Sequence, residues 1–222
     1  MIDLRIQGPA RRVRVASALA AVVTASMLAG CAPLLVGTAV VGTGLVVSDR
    51  RTTGTQLEDQ SIELKAASRI RDAATLGRVS ATSYNRIVLL TGEVPGEAEK
   101  AAAERAVRAV ENVQGVVNEL AVMPNTTLGQ RSNDAVLGTK VKASFVDTKD
   151  LQANAFKVVA DRGIVYLMGR VTEREAHRAT EIARSVAGVQ KVVRVLEIIS
   201  EDELQRIARG APPVAQGASA PR

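Results

Sequence analysis

The sequence predicts an α+β protein built from two tandem copies of one small αββαβ unit, each a three-stranded sheet packed by two helices. Internal repetition is the first observation behind this. Ile87-Val-Leu-Leu-Thr-Gly-Glu-Val94 lies over Ile164-Val-Tyr-Leu-Met-Gly-Arg-Val171 at an offset of 77, and Val113-Gln-Gly-Val-Val117 lies over Val189-Gln-Lys-Val-Val193 at 76. The second is that apolar periodicity switches within each copy between helical spacing and strand-like runs. The third is composition. The 222 residues are 46% hydrophobic but hold only two Phe, two Tyr and no Trp. Cores made of Val, Ile, Leu and Ala suit small layered domains.

The N-terminus comes first. Arg5, Arg11, Arg12 and Arg14 precede an uncharged, mostly apolar run from Val15 to Leu28, too short to span a bilayer but suited to a secretory signal peptide over residues 1–30. It ends in Leu28-Ala29-Gly30-Cys31, which resembles a lipobox: small residues before the cut and a thiol to receive the lipid. Cys31, the sole cysteine, is therefore the expected lipidation site and first residue of the mature chain, with palmitate among the expected acyl groups. Several acyl chains anchor a protein stably where one chain binds marginally. Ala32 in place of Asp reads as an outer-membrane address.

Residues 31–58 read as a lipidated, membrane-proximal tether. Its stretch from Pro33 to Val47 is apolar, with Gly37, Gly42 and Gly44 interspersed. It either lies against the bilayer or self-associates, or it serves as a passive tether.

The first copy is expected at 59–123 and the second at 133–199, joined by a polar linker at 124–132. Asp59 and Asp134 are placed at N-cap-like positions ahead of the leading helices. Strands are expected near 78–84 and 155–160, then at 87–94 and 164–171, with Gly92 and Gly169 ending their apolar cores. Ala-rich helices follow at about 97–111 and 173–186. The stripes Ala98, Ala102, Ala106, Val110 and Ala176, Ala179, Ala183, Val186 are expected to lie on the sheets. A Val-rich strand closes each unit. Glu201 to Arg209 is compatible with one more helix in a 200–222 extension that otherwise reads as largely disordered.

A leading helix with Asp and Lys, an apolar strand ending in Gly, a helix, a Val-x-x-Val turn and a Val strand, all met twice, resemble the BON domain. Gly54-Thr55-Gln56, Ser132-Asn133-Asp134 and Gly169-Arg-Val-Thr-Glu-Arg-Glu-Ala176 carry the likeness further. Behind a lipobox, the arrangement is similar to the dual BON-domain outer-membrane lipoproteins. That resemblance implies periplasmic residence, binding of anionic phospholipids at a membrane surface, support of envelope integrity and no catalysis. Where that family can place a Trp on the second leading helix for membrane contact, this chain has Val136.

Charge separates the copies. Residues 59–123 hold eight Lys/Arg against nine Asp/Glu, whereas 133–199 hold eleven against eight. A basic residue near an anionic surface contributes ~1 kcal/mol, so the second copy is the expected lipid binder. Its candidate residues are Val136, Leu137, Lys140 and Lys142. Val136 and Lys140 stand one turn apart as an apolar wedge beside a cation, while Leu137, Val141 and Phe145 also read as a core stripe with the lysines as its solvated edge.

Enzyme chemistry finds little purchase. One Cys and one His are too few for a metal cluster or a disulfide framework, so neither metal nor cofactor is expected. His177 lies among Glu173, Arg174, Glu175, Arg178 and Glu181, an ion-pair row. Without residues 1–30 the net charge falls from +6 to +3, which weakens any nucleic-acid reading. The alternative class is an envelope adaptor whose repeats bind other envelope proteins.

Overall fold

Two helix-capped sheets stand back to back in a computed structural model that describes residues 49–73 and 77–209. Cys31, the apolar tether and residues 210–222 lie outside the described residues. The first domain comprises α1 (Thr53–Ala73), β1 (Arg78–Tyr84), β2 (Ile87–Val94), α2 (Glu97–Arg108), β3 (Gly115–Asn118) and β4 (Ala121–Val122). The second comprises α3 (Leu128–Asp147), β5 (Phe156–Asp161), β6 (Ile164–Val171), α4 (Glu173–Ser185) and β7 (Lys191–Ile198), followed by α5 (Glu201–Ala208). In both sheets the central strand pairs antiparallel with the strand before it and parallel with the strand after the helix. β3 and β4 keep one register against β2, pairing Leu90 with Asn118 and Glu93 with Ala121, so they are one strand with an interrupted ladder. Three strands per unit is thus the underlying architecture.

Each leading helix buries a narrow stripe of four-residue spacing, Ile62, Ala66 and Ile70 in α1 and Leu137, Val141 and Phe145 in α3. Val88, Leu90 and Val94 meet the first stripe, and Val165, Leu167 and Val171 the second. The opposite faces of the same strands carry Leu89, Tyr166 and Met168, which join Tyr84 in a third apolar cluster between the two sheets. β2 and β6 are therefore buried on both faces, which explains why both read as continuous apolar runs. All three clusters lie between residues 62 and 199, so the fragment 48–222 carries every described element of one compact unit and should fold without what precedes it.

Three expectations are corrected here. Asp59 and Asp134 cap no helix: α1 starts at Thr53 within the supposed tether, and α3 starts at Leu128 within the supposed linker. The Thr127 hydroxyl accepts from the Gln130 N–H and the Gln130 side chain accepts from the Thr127 N–H, a complete capping box. In α2 the buried residues are Ala103 and Val107, and Ala98 is exposed, while Val110, buried as expected, lies just past the helix end; alanines on several faces left the choice to Val107. The α4 stripe of Ala176, Ala179 and Ala183 is buried as the spacing predicts. Glu201–Ala208 of the tail is helical, with the Ser200 hydroxyl accepting from the Glu203 N–H.

Candidate functional site

Asp134 does a different job from the one its sequence position suggests. Buried on α3, its carboxylate accepts the N–H groups of Arg162 and Gly163, both at 2.9 Å, and so ties the β5–β6 turn to the helix. Gly163 (φ 71°) holds the left-handed backbone this turn requires, and its carbonyl accepts from the Gln190 N–H at 2.9 Å. Gln190 follows the α4–β7 turn, where Gly188 (φ 102°) comes so close to α3 that a Cβ would touch Leu137. The helix and two turns thus enclose one side of a groove of about 570 Å³.

Val136 and Lys140 line that groove, joined by Gln130 and Asn133 of the same helix, by Gln190 and Ala187 and, from the segment between the domains, by Met123 and Thr126. Val136 is 53% exposed and Met123 42%, so an apolar lip borders the polar amides. Among the described residues Lys140 and Lys142 form no ion pair, which leaves both ammonium groups for an external anion. Arg162 also lines the groove, yet its guanidinium donates to the carbonyls of Gly92 (2.9 Å) and Glu119 (3.1 Å) in the first domain. It is a fastener between domains.

Two of the four predicted lipid-contact residues therefore meet at the groove rim. Leu137, only 6% exposed, belongs to the second core, as its stripe also suggested, and lines the groove floor. Lys142, two residues past Lys140, projects roughly 200° around the helix from it and is exposed outside the groove. Met123, Gln130, Asn133 and Gln190 were not anticipated. Gln190 does lie in a repeated block and Asn133 in the stretch Ser132-Asn133-Asp134 that carries the family likeness, but only the fold brings them together.

The floor is tied to a buried ionic network. Thr126 donates through its N–H and hydroxyl to Glu93, which accepts two hydrogen bonds of 2.9 Å from Arg78. Burial alone would raise the Glu93 pKa, but Arg78 and the Thr126 N–H outweigh it and hold the carboxyl below its ordinary value. His177 sits in the open with Nδ1 3.7 Å from Glu181, in the ion-pair row that its neighbours suggest.

The comparisons with known proteins agree with this organisation. The BON domain matches residues 58–124 and 133–200. The outer membrane lipoprotein DolP of Haemophilus influenzae is 39% identical over 176 residues, covering 78% of this chain and 90% of DolP. A 21 kDa hemolysin of Actinobacillus pleuropneumoniae is 30% identical, covering 68% of this chain and 79% of that protein. The osmotically-inducible protein Y of Escherichia coli is 26% identical, covering 66% and 76%.

Proposed function

The chain belongs to the BON-domain family, and from that premise we propose that it is a non-catalytic lipoprotein of the periplasmic face of the outer membrane whose second domain binds anionic phospholipid and thereby supports membrane integrity. The anchor is Cys31, supported by the lipobox Leu28-Ala29-Gly30-Cys31 and by the name of the Haemophilus relative.

One observation carries the lipid reading: an exposed apolar side chain, Val136, stands beside an ammonium with no ion pair among the described residues, Lys140, at the rim of a groove lined with amides. The pairing suits a bilayer surface. Lys140 attracts a phosphate, Val136 and Met123 enter the acyl boundary, and the carboxamides of Gln130, Asn133 and Gln190 offer donors and acceptors to a polar head group. Lys142 adds long-range attraction from outside the groove.

Sedimentation of the fragment 48–222 with vesicles tests this. It should pellet with vesicles rich in phosphatidylglycerol or cardiolipin and stay in solution with phosphatidylcholine. The triple change Val136→Glu, Lys140→Glu, Lys142→Glu should abolish binding while circular dichroism still reports a folded protein, since all three side chains are exposed. A fragment that ignores anionic vesicles as fully as neutral ones would move the adaptor reading ahead.

A further inference from the structure

The two domains differ most where the leading helix meets the two turns beside it. Their equivalence there is fixed by hydrogen bonds. Asp59 accepts from the N–H groups of Asn85 and Arg86 as Asp134 does from Arg162 and Gly163. The Gln114 N–H donates to the Arg86 carbonyl as that of Gln190 does to Gly163, both at 2.9 Å. In that register Glu58 and Arg86 occupy the places of Asn133 and Gly163, and Lys65 and Glu111 those of Lys140 and Ala187.

In the first domain two ion pairs stitch helix to turns: Arg86 with Glu58, and Lys65 Nζ with Glu111 Oε2 at 2.8 Å. Neither can form in the second, where Asn133, Gly163, Lys140 and Ala187 instead line the open groove. Resting on the lipid reading of that groove, we propose that the residue at the turn after the Ala-rich helix determines which repeat takes an anionic head group. Glu111 occupies the Lys65 ammonium as an intramolecular substitute for the lipid phosphate, and Ala187 leaves Lys140 free for it.

Two further features agree. Arg69 and Ser68 line a shallow hollow beside Lys65 and Glu111, so an unmasked first domain would present two cations to a membrane. The hydrogen bond from Lys65 also holds the Glu111 carboxyl below its ordinary pKa, which keeps it anionic and in place. The pair is solvent-exposed, with Lys65 at 49% and Glu111 at 81%, and exposed pairs contribute little to folding. Either partner can therefore be changed without loss of the domain.

The test uses the fragment 48–222 and vesicles of phosphatidylglycerol with phosphatidylcholine, with pure phosphatidylcholine as control. Ala187→Glu should weaken binding about fivefold, the effect of cancelling one surface cation, and Lys140→Glu, which removes a cation and adds an anion, should weaken it further. Ala187→Gln, equal in size and neutral, should bind like wild type. In the Lys140→Glu background, Glu111→Ala should restore binding by a similar factor. Wild-type binding by Ala187→Glu, an equal loss from Ala187→Gln, or no recovery from Glu111→Ala would each overturn the assignment while leaving the groove reading intact. If Lys140→Glu changes nothing, the groove reading falls and this inference falls with it.

Discussion

A carboxylate in the middle of a helix is normally a solvent residue, and Asp59 and Asp134 are buried because each closes a hairpin turn for its own domain. Asp59 takes four donors: the Ser83 hydroxyl, the N–H groups of Asn85 and Arg86, and the Arg51 guanidinium. Burial would raise its pKa, but these hydrogen bonds outweigh it and hold the carboxyl below the usual value. Among the described residues Asp134 has only the two backbone donors. Asp134→Ala leaves both N–H groups without their partner, so it should cost about 2–4 kcal/mol in urea unfolding, with Asp59→Ala costing at least as much. The sequence marks both positions through the repeat, but an Asp ahead of an apolar stripe reads as an N-cap because its backbone partners lie 26 to 29 residues away.

For the elements, the beginnings of the leading helices were the least legible part of the sequence. The true start of α3 was signalled by Thr127-x-x-Gln130, a capping box within a stretch that its polarity makes look like linker. The strands were far easier. Their apolar runs and repeated glycines place β1, β2, β5 and β6 to within a residue. Gly92 (φ 120°) and Gly169 both lie where a Cβ would strike a backbone carbonyl at the start of the neighbouring strand, that of Arg78 in one sheet and that of Ala155, just before β5, in the other. The start of α3 matters for function, since Gln130 and Asn133 in its first two turns line the groove. Thr127→Ala should lower stability by about 1 kcal/mol and speed amide hydrogen exchange over 128–131, read by mass spectrometry.

Nothing in the sequence pattern announced that the two sheets pack against each other, because the contacts that join them pair residues 43 to 125 positions apart. Even so, the near-continuous apolar runs of β2 and β6 were a usable sign of burial on both faces. Around Tyr84, Leu89, Tyr166 and Met168 the interface is ringed by fasteners: Arg50 with Glu175 through two hydrogen bonds of 2.7 Å, Arg78 with Asp161, Lys157 with Glu63, and Arg162 with two carbonyls. Calorimetry should therefore show one unfolding transition for both domains. Arg50→Ala leaves a buried carboxylate without its guanidinium and should cost about 3–5 kcal/mol. Acid should act on the same network. Against burial, hydrogen bonds from Arg50 and the Thr172 N–H hold Glu175 below 4.5, as Arg78 and Thr126 hold Glu93. A carboxyl depressed on folding contributes stability that is complete above its unfolded value and is lost as pH falls through its folded one. The midpoint temperature should thus be level from pH 7 to about 5 and fall below about 4.5, less steeply in Arg50→Ala.

At this same scale stands the claim that a duplicated fold has kept its framework in both copies while, among the described residues, only the second has a lysine without an ion pair beside an exposed apolar side chain where its leading helix meets the two turns. Paramagnetic broadening of the amide signals of the fragment 48–222, bound to anionic bicelles carrying spin-labelled lipid, reads the contact surface directly. The account predicts broadening concentrated at Asn133, Val136, Lys140, Gly188 and Gln190, with Lys65, Glu111 and their neighbours unaffected. Broadening centred on the first domain, or spread equally over the two, would contradict it.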